Sequence, residues 1–164
     1  MEELKPIGTD PAGFQILTNA VLDLLNNFPE LNGREILFEE LGETSGIAFS
    51  ANSGALVISE RRSITDHIRQ TCQFPIMIVY RVDGTDEYRK LKVQEFFDKI
   101  GKWICKEPVE INGRVQTATY PLLSDQRKIT RITRKNSYGL QPEGTVQNWI
   151  LPVTVEYTKE FDMW

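Results

Sequence analysis

The stretch TVQNWILPVTVEYTKEF, residues 145–161, alternates apolar and polar side chains. Its apolar positions lie two residues apart, at Trp149, Leu151, Val153, Val155 and Tyr157. Because successive side chains of a β-strand point to opposite faces, this period predicts a long strand with one covered face. Residues 65–82 predict a second long strand, apolar on one face in its first half and on both faces in its second half. Pro75 has no backbone N–H, which predicts a bulge or an unpaired edge at that point.

Two amphipathic helices are predicted to cover this sheet. Asp10 and Pro11 are residue types typical of an N-cap and a first helical position, and apolar residues follow at three- and four-residue steps to Phe28. The second helix is predicted to begin after Thr85 as its N-cap and to end before Pro108, again with one apolar face.

Shorter strands complete the predicted sheet. Residues 36–41, 46–51 and 55–60 predict short antiparallel strands, with residues 52–54 as a hairpin turn between the last two, and another strand is predicted at 127–136. Asn112 and Gly113 indicate a tight hairpin, a candidate arm around residues 109–118. The sequence therefore predicts a single α+β domain over residues 1–164, mainly an antiparallel β-sheet with two amphipathic helices packed on one face.

Residue types that carry catalysis and bind metals are scarce in this chain. It contains one histidine, His67, and two cysteines, Cys72 and Cys105, with no glycine-rich phosphate loop and no nucleophilic serine motif. We expect His67 to be a partly exposed strand residue and both cysteines to be buried in a reducing compartment. The sequence thus predicts no enzyme, with no catalytic residue, no cofactor and no metal site.

Carboxylates could support acid–base chemistry without histidine. Strand alternation is expected to send Glu39 and Glu40 to opposite faces, while turn and capping needs account for Asp83, Asp86 and Glu87. The structural interpretation of these acidic residues is therefore favoured over a catalytic one.

The net charge of −4 is unevenly distributed along the chain. Residues 1–60 carry 2 basic and 10 acidic groups, residues 61–135 carry 16 and 9, and residues 136–164 carry 1 and 4. The densest basic cluster comprises Arg127, Lys128, Arg131, Arg134 and Lys135. These cations could protect an exposed strand edge, contact an acidic neighbouring subunit, or contact DNA. Because unlike surfaces meet in head-to-tail assemblies, we hypothesise that this cluster approaches an acidic group on the next copy, namely Glu39, Glu40 and Glu43.

Targeting signals are not apparent in the sequence. Its first residues lack the basic start and apolar core of a signal peptide, and no apolar run approaches the roughly 18 residues of a membrane span. We expect a protein made in the cytoplasm, with no membrane partner.

The order of these elements resembles the bacteriophage tail terminator family, also called tail completion or minor capsid proteins of the head–tail junction. Three stretches carry the resemblance together with the first helix: QFPIMIVYR at 73–81, DEYRKLKVQEFFDKIGKW at 86–103 and TVQNWILPVTVEY at 145–157. The resemblance implies a structural virion protein of the tail or neck, made in the bacterial host cytoplasm, whose small sheet with flanking helices assembles as a hexameric ring.

Such a ring would cap the tail tube and join it to the head–tail connector protein. The resemblance implies the tail tube protein and the connector protein as partners, the sheath protein as a further candidate, and DNA only as it passes through the lumen. Two alternatives stay open: another head–tail joining protein, such as a stopper, an adaptor or a minor capsid protein, and a small carboxylate-dependent enzyme.

Overall fold

A computed structural model describes residues 5–51 and 53–163 of this chain. The elements follow in the order β1 (Gly8–Thr9), α1 (Pro11–Asn26), β2 (Ile36–Phe38), β3 (Gly46–Ser50), β4 (Leu56–Arg62), β5 (His67–Asp83), α2 (Glu87–Ile104), β6 (Val109–Ile111), β7 (Arg114–Gln116), β8 (Arg127–Arg134), β9 (Tyr138–Gly139) and β10 (Val146–Asp162). The α+β class, mainly antiparallel with two helices, is as the sequence predicts. Neither described helix is long and apolar enough to cross a membrane.

Two 17-residue strands, β5 and β10, form the centre of the sheet. They are antiparallel and pair along their whole length, from Val146 opposite Asp83 to Asp162 opposite His67. Over one half of this ribbon the strand order is β1-β4-β5-β10-β8, and over the other half β3 pairs with β5 while β9 pairs with β10. Both long strands lie within one or two residues of their predicted bounds, because their alternation extends over many residues.

The short strands between α1 and β5 differ from the prediction. β2 and β3 are parallel, with Ile36 opposite Ile47, and not antiparallel. β3 and β4 both pair antiparallel with β5, at residues 77–81 and 68–73, so they lie one after the other along the same edge. The predicted hairpin between them is therefore wrong. Its turn includes Asn52, which lies outside the described residues.

Pro75 occupies the gap between these two strands. On its other side it is opposite Thr154 of β10, whereas the edge facing β3 and β4 has no paired residue at positions 74–76. A proline N can donate no ladder hydrogen bond, so this position suits it. The predicted unpaired edge at Pro75 is confirmed.

Both helices pack on the same face of the sheet. Phe14 of α1 contacts Phe74 edge to face at a centroid distance of 5.9 Å, and Phe96 of α2 contacts Tyr80 at 5.2 Å. Residues directly opposite in an antiparallel pair share a face, so the buried residues of β10 join this core: Trp149, Leu151, Val153, Val155 and Tyr157. We call the opposite side, which carries neither helix, the open face.

Side-chain capping explains where each helix begins. Asp10 caps α1 by accepting a hydrogen bond from the Gly13 N–H at 3.2 Å, as predicted. Asp86, not the predicted Thr85, caps α2, because its carboxylate accepts from the Arg89 N–H at 2.8 Å. A carboxylate at this position also interacts favourably with the positive end of the helix dipole.

The hairpin of β6 and β7 forms at the predicted place. Asn112 and Gly113 have φ values of 53° and 79°, the left-handed conformations that a two-residue hairpin turn of this type requires. Val109 and Ile111 are buried in the main core. One side of the predicted arm is therefore anchored against the domain.

Candidate subunit interface

The three acidic residues singled out by the sequence lie together on one loop. Glu39, Glu40 and Glu43 occupy the connection between β2 and β3, and all three are exposed. Glu39 has φ of 52°, which ends β2 at Phe38, so the expected strand alternation of Glu39 and Glu40 does not occur. Among the described residues none of these three carboxylates forms an ion pair. We call residues 39–43 the acidic loop.

A β-bulge divides the basic cluster between the two faces of the sheet. Ile129 is opposite Tyr157 and Arg131 is opposite Glu156, so Thr130 is an extra residue in β8. The bulge brings Ile129 and Ile132 to the same buried side. Five cations that are close in sequence therefore have different environments.

Arg127 lies in the interior, and its prediction as an interface residue is wrong. Its side chain is 2% exposed and forms a two-pronged ion pair with Asp10, with Nη2 to Oδ1 at 2.6 Å and Nε to Oδ2 at 2.9 Å. Tyr157 donates its hydroxyl to Oδ2 at 2.7 Å. The start of β8 faces inward because this pair joins it to α1 and β10.

Gly13 makes room for this buried cluster. A Cβ at Gly13 would lie 2.1 Å from Oδ2 of Asp10 and 2.7 Å from the hydroxyl oxygen of Tyr157, both far inside contact distance. The first turn of α1 can therefore approach the ion pair only with glycine at this position. The local sequence predicts the Asp10 cap but not its partners Arg127 and Tyr157, because they lie 117 and 147 positions away.

These contacts shift the pKa of the Asp10 carboxyl group. Burial raises its pKa, but hydrogen bonds from Arg127 and Tyr157 outweigh burial and lower the pKa from 3.8 to about 2. A depressed pKa means that the folded state holds the ionised form more favourably than the unfolded state does. The resulting stability is present above about pH 4 and is lost as the pH falls through the folded-state pKa.

Acid unfolding is expected to report this pair. Between pH 4 and pH 2 the free energy of unfolding should lose about 2 kcal/mol from Asp10 alone. Urea titrations of the wild type and of Asp10→Asn measure it, and the variant should lack this part of the pH dependence because its side chain cannot ionise. Parallel pH profiles for the two proteins would contradict the expectation.

Arg134 is also engaged within its own chain. Its side chain is 24% exposed, and its Nη2 lies 2.9 Å from Oε2 of Glu107. It also packs closely on α2, since a Cβ on Gly101 would lie only 2.6 Å from the Arg134 Cδ. Substitution of Arg134 would thus disturb the packing of α2 on β8. This cation is a poor choice for testing contacts between copies.

The remaining members of the cluster form a surface along the outermost strand of the sheet, β8, and at the residue that follows it. Lys128, Arg131 and Lys135 are exposed, and Arg131 donates Nε to Oε2 of Glu156 at 2.8 Å. Lys128 and Arg131 are opposite Thr158 and Glu156, whose side chains lie on the open face. We call these three cations the basic edge.

The acidic loop and the basic edge lie at diagonally opposite corners of the sheet. The loop follows β2, outside β3, which pairs with residues 77–81 of β5. The basic edge lies along β8, which pairs with residues 153–159 of β10. Those residues of β10 are in turn opposite residues 70–76 of β5. The two groups are therefore separated both across the strands and along them.

The other reactive residues have structural surroundings. His67 is half-exposed on β5, as predicted, and its hydrogen bonds with Asp162 and Glu160 raise its pKa above the usual 6.5. Cys72 is buried, as predicted, whereas Cys105 is only half-buried; burial raises the pKa of each thiol to about 11. Within residues 5–51 and 53–163, no three His, Cys, Asp or Glu side chains are grouped to hold a metal ion.

Comparison with known proteins adds no assignment. No protein-family model and no curated protein sequence matches this chain.

Proposed function

We propose that this protein is a structural assembly protein of the tail terminator type, whose copies close into a ring of six. The ring would cap the tail tube and join it to the head–tail connector. The observation that supports this most directly is the placement of the acidic loop and the basic edge at opposite corners of one sheet. The proposal places the protein in the virion tail or neck.

The placement of the acidic loop and the basic edge at opposite corners of the sheet suits a head-to-tail contact between copies. In such an interface two different surfaces of the same chain meet, and repetition of the contact closes a ring when the rotation allows. The acidic loop of one copy would face the basic edge of the next, so every copy uses both surfaces. Unlike charges at an interface mainly set orientation and partner choice.

Charge reversal on the basic edge is expected to weaken assembly. Lys128→Glu together with Arg131→Glu places negative charge against the acidic loop of the neighbour. Ring formation at low salt should then require at least about tenfold higher protein concentration, equal to about 1.4 kcal/mol per contact. Sedimentation velocity and negative-stain imaging measure the change, and added salt should reduce the difference between the proteins because it screens exposed charges.

Two further variants make this experiment specific. Lys92→Glu with Lys102→Glu on the solvent side of α2 changes the charge equally but should leave assembly unchanged. Adding Glu39→Lys and Glu40→Lys to the basic-edge variant restores unlike charges and should restore the ring. A restored ring supports the proposed contact, and a failure of rescue overturns it. A wild-type protein that is monomeric at high concentration and does not bind purified tail tubes would contradict the proposed function itself.

A further inference from the structure

Two arginines face each other across the β4–β5 pair. Arg61 is directly opposite Arg69, and the next pair along the strands on the same face is Ser59 opposite Thr71. Thr71 and Arg69 alternate with the buried Cys72 and Ile68, so all four side chains belong to the open face. This group is separate from the acidic loop and from the basic edge.

The neighbouring charges on β4, β5 and β10 have partners within the chain. Arg62 pairs with Asp66 at 3.2 Å, and Gln70 donates to Glu60 at 2.9 Å. The carboxylate of Glu160, which is opposite Arg69 on β10, lies 3.5 Å from Nε2 of His67.

Arg61 and Arg69 differ from these neighbours. Among the described residues neither guanidinium has an ion-pair or hydrogen-bond partner. Like charges directly opposite in a sheet repel each other and destabilise the pair of strands. An anion between the two guanidinium groups would remove this repulsion.

The surroundings of the two arginines favour one kind of anion. A surface hollow of about 250 Å³ is lined by Ser59, Arg61, Arg69 and Thr71. Each guanidinium can donate two parallel hydrogen bonds, and each hydroxyl can donate one. A single arginine would use both oxygens of a carboxylate ligand, which would leave none for the second arginine. A phosphate group has enough oxygens for both arginines and the hydroxyls, and it carries up to two negative charges.

We propose that Arg61 and Arg69, with Ser59 and Thr71, form a phosphate-binding site on the open face of the sheet. The phosphate could be free in solution or belong to a nucleic-acid backbone, and the chemistry of recognition is the same for both. The site does not depend on ring formation, so its test is independent of the proposed function.

Thermal unfolding at constant pH and ionic strength tests the site with inorganic phosphate as the probe, against chloride as the reference anion. Phosphate is expected to raise the Tm of the wild type, because a ligand that binds only the folded state stabilises it. In Arg61→Gln and in Arg69→Gln the apparent affinity for phosphate, from the dependence of Tm on its concentration, should fall at least about tenfold.

Arg62→Gln is the matched control. It removes the same charge one position away, but Arg62 lies on the other side of the strand and has Asp66 as its partner. This variant should keep the wild-type response to phosphate. Without phosphate and at low salt, Arg61→Gln should also unfold at a higher temperature than Arg62→Gln, because it relieves repulsion where the control loses an ion pair.

Three results would overturn the proposed phosphate site. An equal loss of phosphate binding in all three variants, or no stabilisation of the wild type, overturns the site. Stabilisation by polyglutamate equal to that by phosphate also overturns it, since it would indicate a general response to anions or an acidic protein partner.

A short DNA duplex, measured by fluorescence anisotropy, then distinguishes the source of the phosphate. Duplex binding that is weakened by Arg61→Gln but not by Arg62→Gln supports a nucleic-acid backbone as the source. Stabilisation by phosphate without duplex binding supports free phosphate.

Discussion

Replacement of Asp10 by alanine is expected to lower the free energy of unfolding by about 3–5 kcal/mol. The Arg127 guanidinium would keep its position in the interior, with a side chain that is 2% exposed, but would lose its two-pronged partner. An uncompensated buried charge is costly because the protein interior solvates it far less well than water does. The variant also removes the N-cap of α1, which adds to the loss. Equilibrium unfolding in urea measures the change.

Asp125 provides a matched control for this prediction. Its carboxylate lies 4.0 Å from Nη1 of the same Arg127, but its side chain is 74% exposed. Asp125→Ala should therefore change the free energy of unfolding by less than about 0.5 kcal/mol. The double variant Asp10→Ala with Arg127→Leu should lose less than the sum of the single losses, because neither charge is left alone. A cost below about 1 kcal/mol for Asp10→Ala would contradict a buried pair.

Replacement of Phe28 by alanine is expected to cost about 3–5 kcal/mol. Phe28 follows α1, is 3% exposed, and packs edge to face on two aromatic rings of α2. Its ring centroid lies 5.7 Å from that of Phe96 and 5.4 Å from that of Trp103. Removal of the ring leaves a cavity between the two helices and the sheet, and favourable aromatic contacts are lost with it. Urea unfolding measures the stability.

Tyr88→Ala is the appropriate comparison for Phe28→Ala. Tyr88 is an aromatic residue of α2 that is 68% exposed, so its removal should change stability by less than about 0.5 kcal/mol. Phe28→Leu should fall between the wild type and the alanine variant, because it fills part of the cavity. Equal effects of Phe28→Ala and Tyr88→Ala would show that the helices do not depend on this contact.

Much of the fold could be predicted because its largest elements have long, regular patterns. The alternation that ends in Val155 and Tyr157 and the apolar face of α2 each repeat many times, so one unusual residue does not obscure them. Short strands carry no such repetition. The five residues of β3 indicate a strand but do not specify its neighbour, and sequence proximity to β4 suggested a hairpin where both pair with β5 instead.

The candidate interface was predictable only in part. The acidic loop is exposed, in agreement with its composition, and Lys128, Arg131 and Lys135 remain surface cations. Arg127 could not be distinguished from Lys128 by sequence, because its burial depends on Asp10, 117 residues earlier. The bulge at Thr130 depends in the same way on how β8 aligns with β10.

Local pattern was therefore sufficient for the class of fold, the two long strands, the two helices, the Asp10 cap of α1, and the shortage of reactive side chains. Periodicity and capping act over a few residues, so the chain carries them wherever it folds. The parallel pairing of β2, the buried Asp10–Arg127 pair and the facing Arg61 and Arg69 depend on strand register and long-range packing. A shift of one residue in that register would exchange the two faces of a strand, and contacts between distant residues select the register.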